Sequence, residues 1–267
     1  MSCALGSTLL AHRDAGRKCL VAYVMGGSTP DWLDTAEALV ASGVDALEVG
    51  LPFSDPVLDG PVIQAAAQRA LARATTVSTV AAELARRSLA VPLIAMTYTN
   101  VALAHGYERT AGRLADAGVT GAILADLPLE ELGGWWAAAH QHGIETVLLA
   151  APSTPPERLD ELCARTEGFL YAMGRMGTTG ETDELDQRGV ELVRSARDRT
   201  PLPILLGVGV SSPFHAAAAC RHADGVIVGT AIVRRMLDGG SADELATFVE
   251  TLREAIDGEA ANEAAAS

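Results

Sequence analysis

An acidic residue interrupts an apolar run at Leu47-Glu48-Val49-Gly50. A carboxylate inside such a segment is expensive to bury unless it is used or paired. Just beyond it, Pro52-Phe53-Ser54-Asp55-Pro56-Val57-Leu58-Asp59-Gly60-Pro61 holds two more carboxylates, among prolines that stiffen the backbone carrying them. Carboxylates in unlike surroundings suit acid–base chemistry, because burial raises the pKa of one while another stays ionised. Each also has a plainer explanation: Glu48 paired with a buried arginine, Asp55 in an Asx turn, Asp59 capping a helix that opens at Pro61.

Other chemistries fit less well. Lys18 is the only lysine and precedes the first apolar run, which disfavours Schiff-base catalysis. The histidines (His12, His105, His140, His142, His215, His222) fall in helical patterns or beside them, so no metal site is expected. Cys3, Cys19, Cys163 and Cys220 show no metal-ligand spacing and read as reduced structural thiols. Glycines gather at Gly177-Thr178-Thr179-Gly180, Gly207-Val208-Gly209 and Gly229-Thr230, where backbone N–H groups could cradle a phosphate; ordinary turns are the alternative. Tyr23, Tyr98 and Tyr171 lie in or at the ends of apolar runs, either as packing or as the walls of a flat apolar pocket.

These residues need a scaffold, and the chain supplies a repeating one. Apolar runs at Cys19–Met25, 44–50, 91–98, 119–126, 144–150, 168–173, 203–209 and 225–229 are continuous rather than alternating, as in strands buried on both faces of a parallel sheet. Helical patterns separate them: 31–41, 61–74 with 77–87, 107–117, 129–142, 156–165, 187–199, 213–222 and 231–256. Eight alternating units predict a single (β/α)₈ TIM barrel over residues 1–256, with a short helix at 7–16 and a disordered tail at 257–267. In a barrel, chemistry sits at the C-terminal strand ends, where Glu48, the loop after it and the glycines all fall. A formal charge of -14 argues against nucleic-acid binding, and the chain reads as a cytoplasmic protein without a membrane span.

The stretch Leu47-Glu48-Val49-Gly50-Leu51-Pro52-Phe53-Ser54-Asp55-Pro56, continued by Leu58-Asp59-Gly60-Pro61-Val62-Ile63-Gln64, closely resembles the signature of the tryptophan synthase α-subunit family. The resemblance extends through Met96-Thr97-Tyr98, Asp126-Leu127-Pro128, the three glycine clusters and Asp224–Gly229, over roughly residues 8–250. It implies retro-aldol cleavage of indole-3-glycerol phosphate to indole and glyceraldehyde 3-phosphate in tryptophan biosynthesis. Glu48 would be the general acid–base, Asp59 the partner of the indole N–H, and Tyr171 a tyrosine beside the general acid. Tyr23 and Tyr98 would line the indole pocket. Gly180, Gly207, Val208, Gly209, Gly229 and Thr230 would hold the phosphate, and Thr179 would sit on a closing loop and contact Asp59. The resemblance implies no cofactor in this chain. The expected partner is a pyridoxal-phosphate β subunit in an α2β2 complex, docked around Pro52, Asp55 and Asn100. The alternative is a stand-alone lyase releasing free indole. Departures from the common pattern fall at Gly27-Ser28-Thr29-Pro30, at Gly174 and Met176, at Val208, and at Thr99 and Val101 flanking Asn100.

Overall fold

The computed structural model describes residues 4–174, 187–207 and 209–266. Its strands are β1 (Cys19–Met25), β2 (Ala46–Gly50), β3 (Leu93–Thr97), β4 (Val119–Leu124), β5 (Glu145–Thr146), β6 (Leu148–Ala150), β7 (Leu170–Met173), β8 (Ile204–Gly207) and β9 (Gly225–Val228). All pairings are parallel, in the order β5-β4-β3-β2-β1-β9-β8-β7-β6. The sequence predicts one strand at 144–150, and here it is two pieces. Val147, between them, still donates its N–H to Ala122 O at 2.9 Å, while β6 pairs with β7. The barrel therefore closes through one segment that changes neighbour part-way along.

Strand alternation divides the interior into layers. Val21, Ala46, Ile94, Ile123, Val147, Phe169, Leu205 and Ile227 pack together inside the barrel, and Leu5 and Leu9 of the helix Leu5–Asp14 plug its lower end. Two residues further along each strand segment, the inward positions are Tyr23, Glu48, Met96, Ala125, Leu149, Tyr171, Gly207 and Gly229. The first layer is solid hydrocarbon. The second holds a carboxylate, two phenols and three small residues, which is the layer that leaves room for a ligand. The outward-facing strand residues pack against the helices, as with Leu47 and Val49 on one side of Glu48 and Trp32, Leu39 and Leu84 above them.

The lower rim is tied by acids at strand starts. Asp45 accepts from Leu20 N–H (2.8 Å), Arg17 (3.0 Å) and the nearly buried Arg253 (3.1 Å). Asp224 accepts from Ile204 N–H at 2.8 Å and Arg197 at 3.0 Å. Lys18 sits at this end too, 2.8 Å from Glu263 and far from the strand tips that carry chemistry. Asp45→Ala leaves the buried Leu20 N–H without its acceptor, while the Arg253 guanidinium keeps Asp257 at 2.6 Å and Lys18 O at 3.0 Å. The expected cost is about 1–3 kcal/mol in urea unfolding, with turnover unchanged below the midpoint.

The final helical stretch differs from its sequence reading in two ways. It is two helices, Thr230–Leu237 and Ala242–Ala266, broken where Gly239 takes φ +87° and Ser241 and Glu244 exchange backbone and side-chain hydrogen bonds as a capping box. The second helix also runs through the segment expected to be a disordered tail. Its buried stripe of Leu245, Val249, Leu252 and Ile256 sets the helix on the barrel, and the extension is tied by Glu259 to Arg221 and by Glu263 to Lys18. An unforeseen short helix, Thr99–Leu103, follows β3.

Candidate active site

Glu48 is 1% exposed, at the level where the barrel opens upward. Among the described residues one carboxyl oxygen, Oε2, has no hydrogen-bond partner, and no arginine pairs with Glu48 in the way a purely structural role would require. Burial, with a smaller contribution from nearby Asp59, pushes its pKa up to about 8. Asp59 reaches the same space from the loop after β2. Its pKa is also raised by burial, opposed by the Tyr98 hydroxyl, which favours the carboxylate. Asp59 does not cap the following helix: Gly60 is the N-cap, Pro61 the first helical residue, and Gln64 Nε2 donates back to Asp59 O at 2.8 Å.

These groups face a cavity of about 270 Å³, lined by Tyr23, Glu48, Leu58, Asp59, Gly60, Ile63, Met96, Ala125, Leu149, Tyr171, Met173, Gly209, Val210, Ile227, Gly229 and Thr230. Two glycines are part of its architecture. A Cβ at Gly50 would lie 2.0 Å from the Tyr23 hydroxyl, and one at Gly207 would lie 2.2 Å from the Tyr171 hydroxyl. Each phenol thus lies over a bare strand position. Burial, with the negative charges of Glu48 and Asp59, holds both phenols protonated.

At the far rim, Gly229 precedes the helix Thr230–Leu237 with no side-chain cap; the Ile232 and Val233 N–H groups bond back to Gly229 O, and the helix start at Gly229 and Thr230 lines the cavity. Gly209, at φ +73°, lines the same rim. Thr179, Gly180 and Val208, together with the departure at Met176, lie outside the described residues.

The structure thus brings Tyr23, Glu48, Asp59, Tyr171, Gly209, Gly229 and Thr230 around one space, with Gly207 beneath Tyr171. Tyr98 is elsewhere. Its ring packs on Phe53 with centroids 5.1 Å apart, and its hydroxyl accepts from Leu58 N–H at 3.0 Å. Pro52 is buried, whereas Asp55 and Asn100 are exposed on the outer rim. The sequence reading missed the apolar wall (Ile63, Met96, Leu149, Met173, Ile227), although the two-residue step from the core layer leads to Met96 and Leu149. No three or more His, Cys, Asp or Glu side chains among the described residues are arranged to hold a metal ion.

The profile of the family described as tryptophan synthase alpha chain matches residues 9–264. The chain belongs to this family. The tryptophan synthase alpha chain of Halorhodospira halophila is 43% identical over 253 residues, covering 92% of this chain and 91% of the relative. That of Streptomyces avermitilis is 41% identical over 253 residues, covering 93% and 90%. Among solved structures, Mycobacterium tuberculosis tryptophan synthase in space group F222 superposes with a TM-score of 0.86 at 35% identity, over 96% of this chain and 99% of that one. Subunit alpha from Legionella pneumophila gives 0.85 at 30% identity, over 95% and 98%. As a tryptophan synthase alpha chain the protein is a carbon–carbon lyase of tryptophan biosynthesis, built on a TIM barrel. No helix among the described residues is long and apolar enough to cross a membrane.

Proposed function

We propose that Glu48 and Asp59 divide the acid–base work of cleaving indole-3-glycerol phosphate into indole and glyceraldehyde 3-phosphate. The observation that carries this is the buried, unpartnered Glu48 oxygen facing a largely apolar cavity into which Asp59 also reaches. With its pKa near 8, Glu48 is protonated at neutral pH and can deliver that proton to indole C3. The ring becomes an iminium, whose N–H and positive charge are matched by the Asp59 carboxylate. The Glu48 carboxylate then takes the proton of the side-chain hydroxyl as the C–C bond breaks. The bonding pair flows into the iminium to release indole, the new carbonyl leaves as glyceraldehyde 3-phosphate, and Glu48 ends protonated as it began. The ring supplies its own electron sink, so the step balances without a Schiff-base lysine or a cofactor in this chain.

The phosphate fits the rim of Gly209, Gly229 and Thr230, where backbone N–H groups bind an anion despite the acidic composition. Ile63, Met96, Leu149 and Tyr23 suit the flat indole ring. A β subunit carrying pyridoxal phosphate is assigned to the outer rim, where Asp55 and Asn100 stand beside Val57 (79% exposed), Leu58 (57%) and Leu103 (52%). Pro52, at the start of the same loop, is buried.

The test is indole release from indole-3-glycerol phosphate by the purified chain, alone and with a β subunit. Slow release that rises strongly with the partner supports the subunit role. Fast release indifferent to the partner makes the chain a stand-alone lyase, and none in either condition removes the assignment. The kcat/KM profile is expected to be a bell. Its basic limb falls near pH 8 as Glu48 loses its proton, and its acidic limb lies above the usual aspartate range as Asp59 gains one. A profile flat from about pH 7 to 9 would remove Glu48 as the acid.

A further inference from the structure

We infer that Tyr98 is a positioning residue for Asp59, clamping the loop after β2 so that the Asp59 carboxylate is held at the cavity. The inference rests on the retro-aldol reading above.

Tyr98 follows β3, is 5% exposed and does not line the cavity. It holds the loop at two points. Its ring meets Phe53 at 5.1 Å near the start of the loop, and its hydroxyl accepts from the amide of Leu58, the residue before Asp59, at 3.0 Å. The loop's other anchors are Gln64 Nε2 on Asp59 O at 2.8 Å and two short turns of its own backbone, Val57 N–H to Asp55 O and Asp59 N–H to Pro56 O. Ser54, Asp55, Val57 and Leu58 are exposed, so side-chain burial does little to fix them. The Leu58 amide thus fixes the backbone one residue before Asp59 to the Tyr98 oxygen, which holds the hydroxyl close to the Asp59 carboxylate. That interaction acts on Asp59 in the direction of the charged form. Tyr98 itself, pushed up to about 12 by burial, stays a donor throughout the working range.

The groups facing Asp59 are Glu48 from β2, Tyr23 from β1, Tyr171 from β7 and Tyr98 after β3. Of these, Tyr98 is the one that lowers the Asp59 pKa against the effect of burial. Deleting its hydroxyl therefore loosens the loop and makes Asp59 harder to ionise, while leaving the cavity wall as it was.

Tyr98→Phe keeps the ring on Phe53 and removes the oxygen. Indole release is followed across about pH 5–9, alone and with a β subunit, beside the affinity for indole propanol phosphate, a non-cleavable substrate mimic. The expected result is a kcat about tenfold lower near pH 6, an acidic limb displaced to higher pH and an affinity within about twofold of the parent. Amide exchange at Leu58 is expected to speed by about tenfold as the accepted hydrogen bond disappears. An unchanged kcat and acidic limb beside an active parent would overturn the positioning role alone. So would a loss confined to affinity, which would make Tyr98 part of the pocket wall. A parent that releases no indole at any pH would instead overturn the retro-aldol reading.

Discussion

Glu48→Gln is expected to lower indole release by about 10²–10⁴-fold while indole propanol phosphate still binds. The amide keeps the volume of the side chain in the barrel but can neither give C3 its proton nor accept one from the hydroxyl. The same substitution is expected to make the protein more stable in neutral and alkaline solution. The Glu48 pKa is raised from 4.5 to about 8 in the folded chain, so folding favours the protonated form. Below pH 4.5 both states carry the proton and there is no penalty. As pH climbs from 4.5 toward 8, the unfolded chain releases the proton and the folded one keeps it, so stability falls throughout that window. By pH 8 the forfeited stability is roughly 3–5 kcal/mol. Glutamine has no such proton to lose. Urea midpoints of parent and Glu48→Gln are therefore expected to coincide near pH 4.5 and to separate above it, the variant being the more stable. A variant less stable at pH 8 would mean that Glu48 is paired inside the barrel and that its charge holds the fold together.

This opposition of stability and activity is why Glu48 stood out in the sequence. A lone acid in Leu47-Glu48-Val49 contradicts its surroundings, and the contradiction marks function. The scaffold was equally legible, because strands buried on both faces read as unbroken apolar runs, and β1 occupies Cys19–Met25 as its run implied. The same continuity hid the cavity wall. Met96 and Leu149 look no different from Ile94 and Val147, although one pair faces the cavity and the other fills the core. Only the two-residue register counted from a known inward position separates them. Tyr98 was expected in the pocket because it ends an apolar run and matches a position that lines the indole pocket in the family it resembles. It turns to the loop because Phe53 and the Leu58 amide offer its ring and hydroxyl partners together. The break at Gly239 was written in the chain as Gly-Gly-Ser with Glu244 three residues after Ser241, but the apolar periodicity on both sides obscured it.

Gly50→Ala is expected to reduce kcat/KM by about 10–100-fold, although alanine suits a strand better than glycine by about 0.5–1 kcal/mol. The position carries no chemistry. Its role is to be empty, since a Cβ there would stand 2.0 Å from the Tyr23 hydroxyl, 2.7 Å from Cζ and 3.1 Å from Cε2. The end of the ring cannot share that space. Tyr23 lies across β1 from Glu48 in register and lines the cavity beside it, so a displaced ring moves into the substrate's place. The Gly26 N–H also bonds Gly50 O at 2.9 Å, so the strand cannot simply back away from the ring. Removing the hydroxyl relieves the closest contact but leaves Cζ crowded. Tyr23→Phe in the Gly50→Ala background is therefore expected to recover part of the loss, with a coupling of about 1–3 kcal/mol between the two sites. Gly133→Ala, where an added Cβ meets nothing within 4 Å, is the control and should leave turnover unchanged. Strictly additive effects at Gly50 and Tyr23 would show that the two do not compete for one space, and that the bare strand position serves something other than the phenol lying over it.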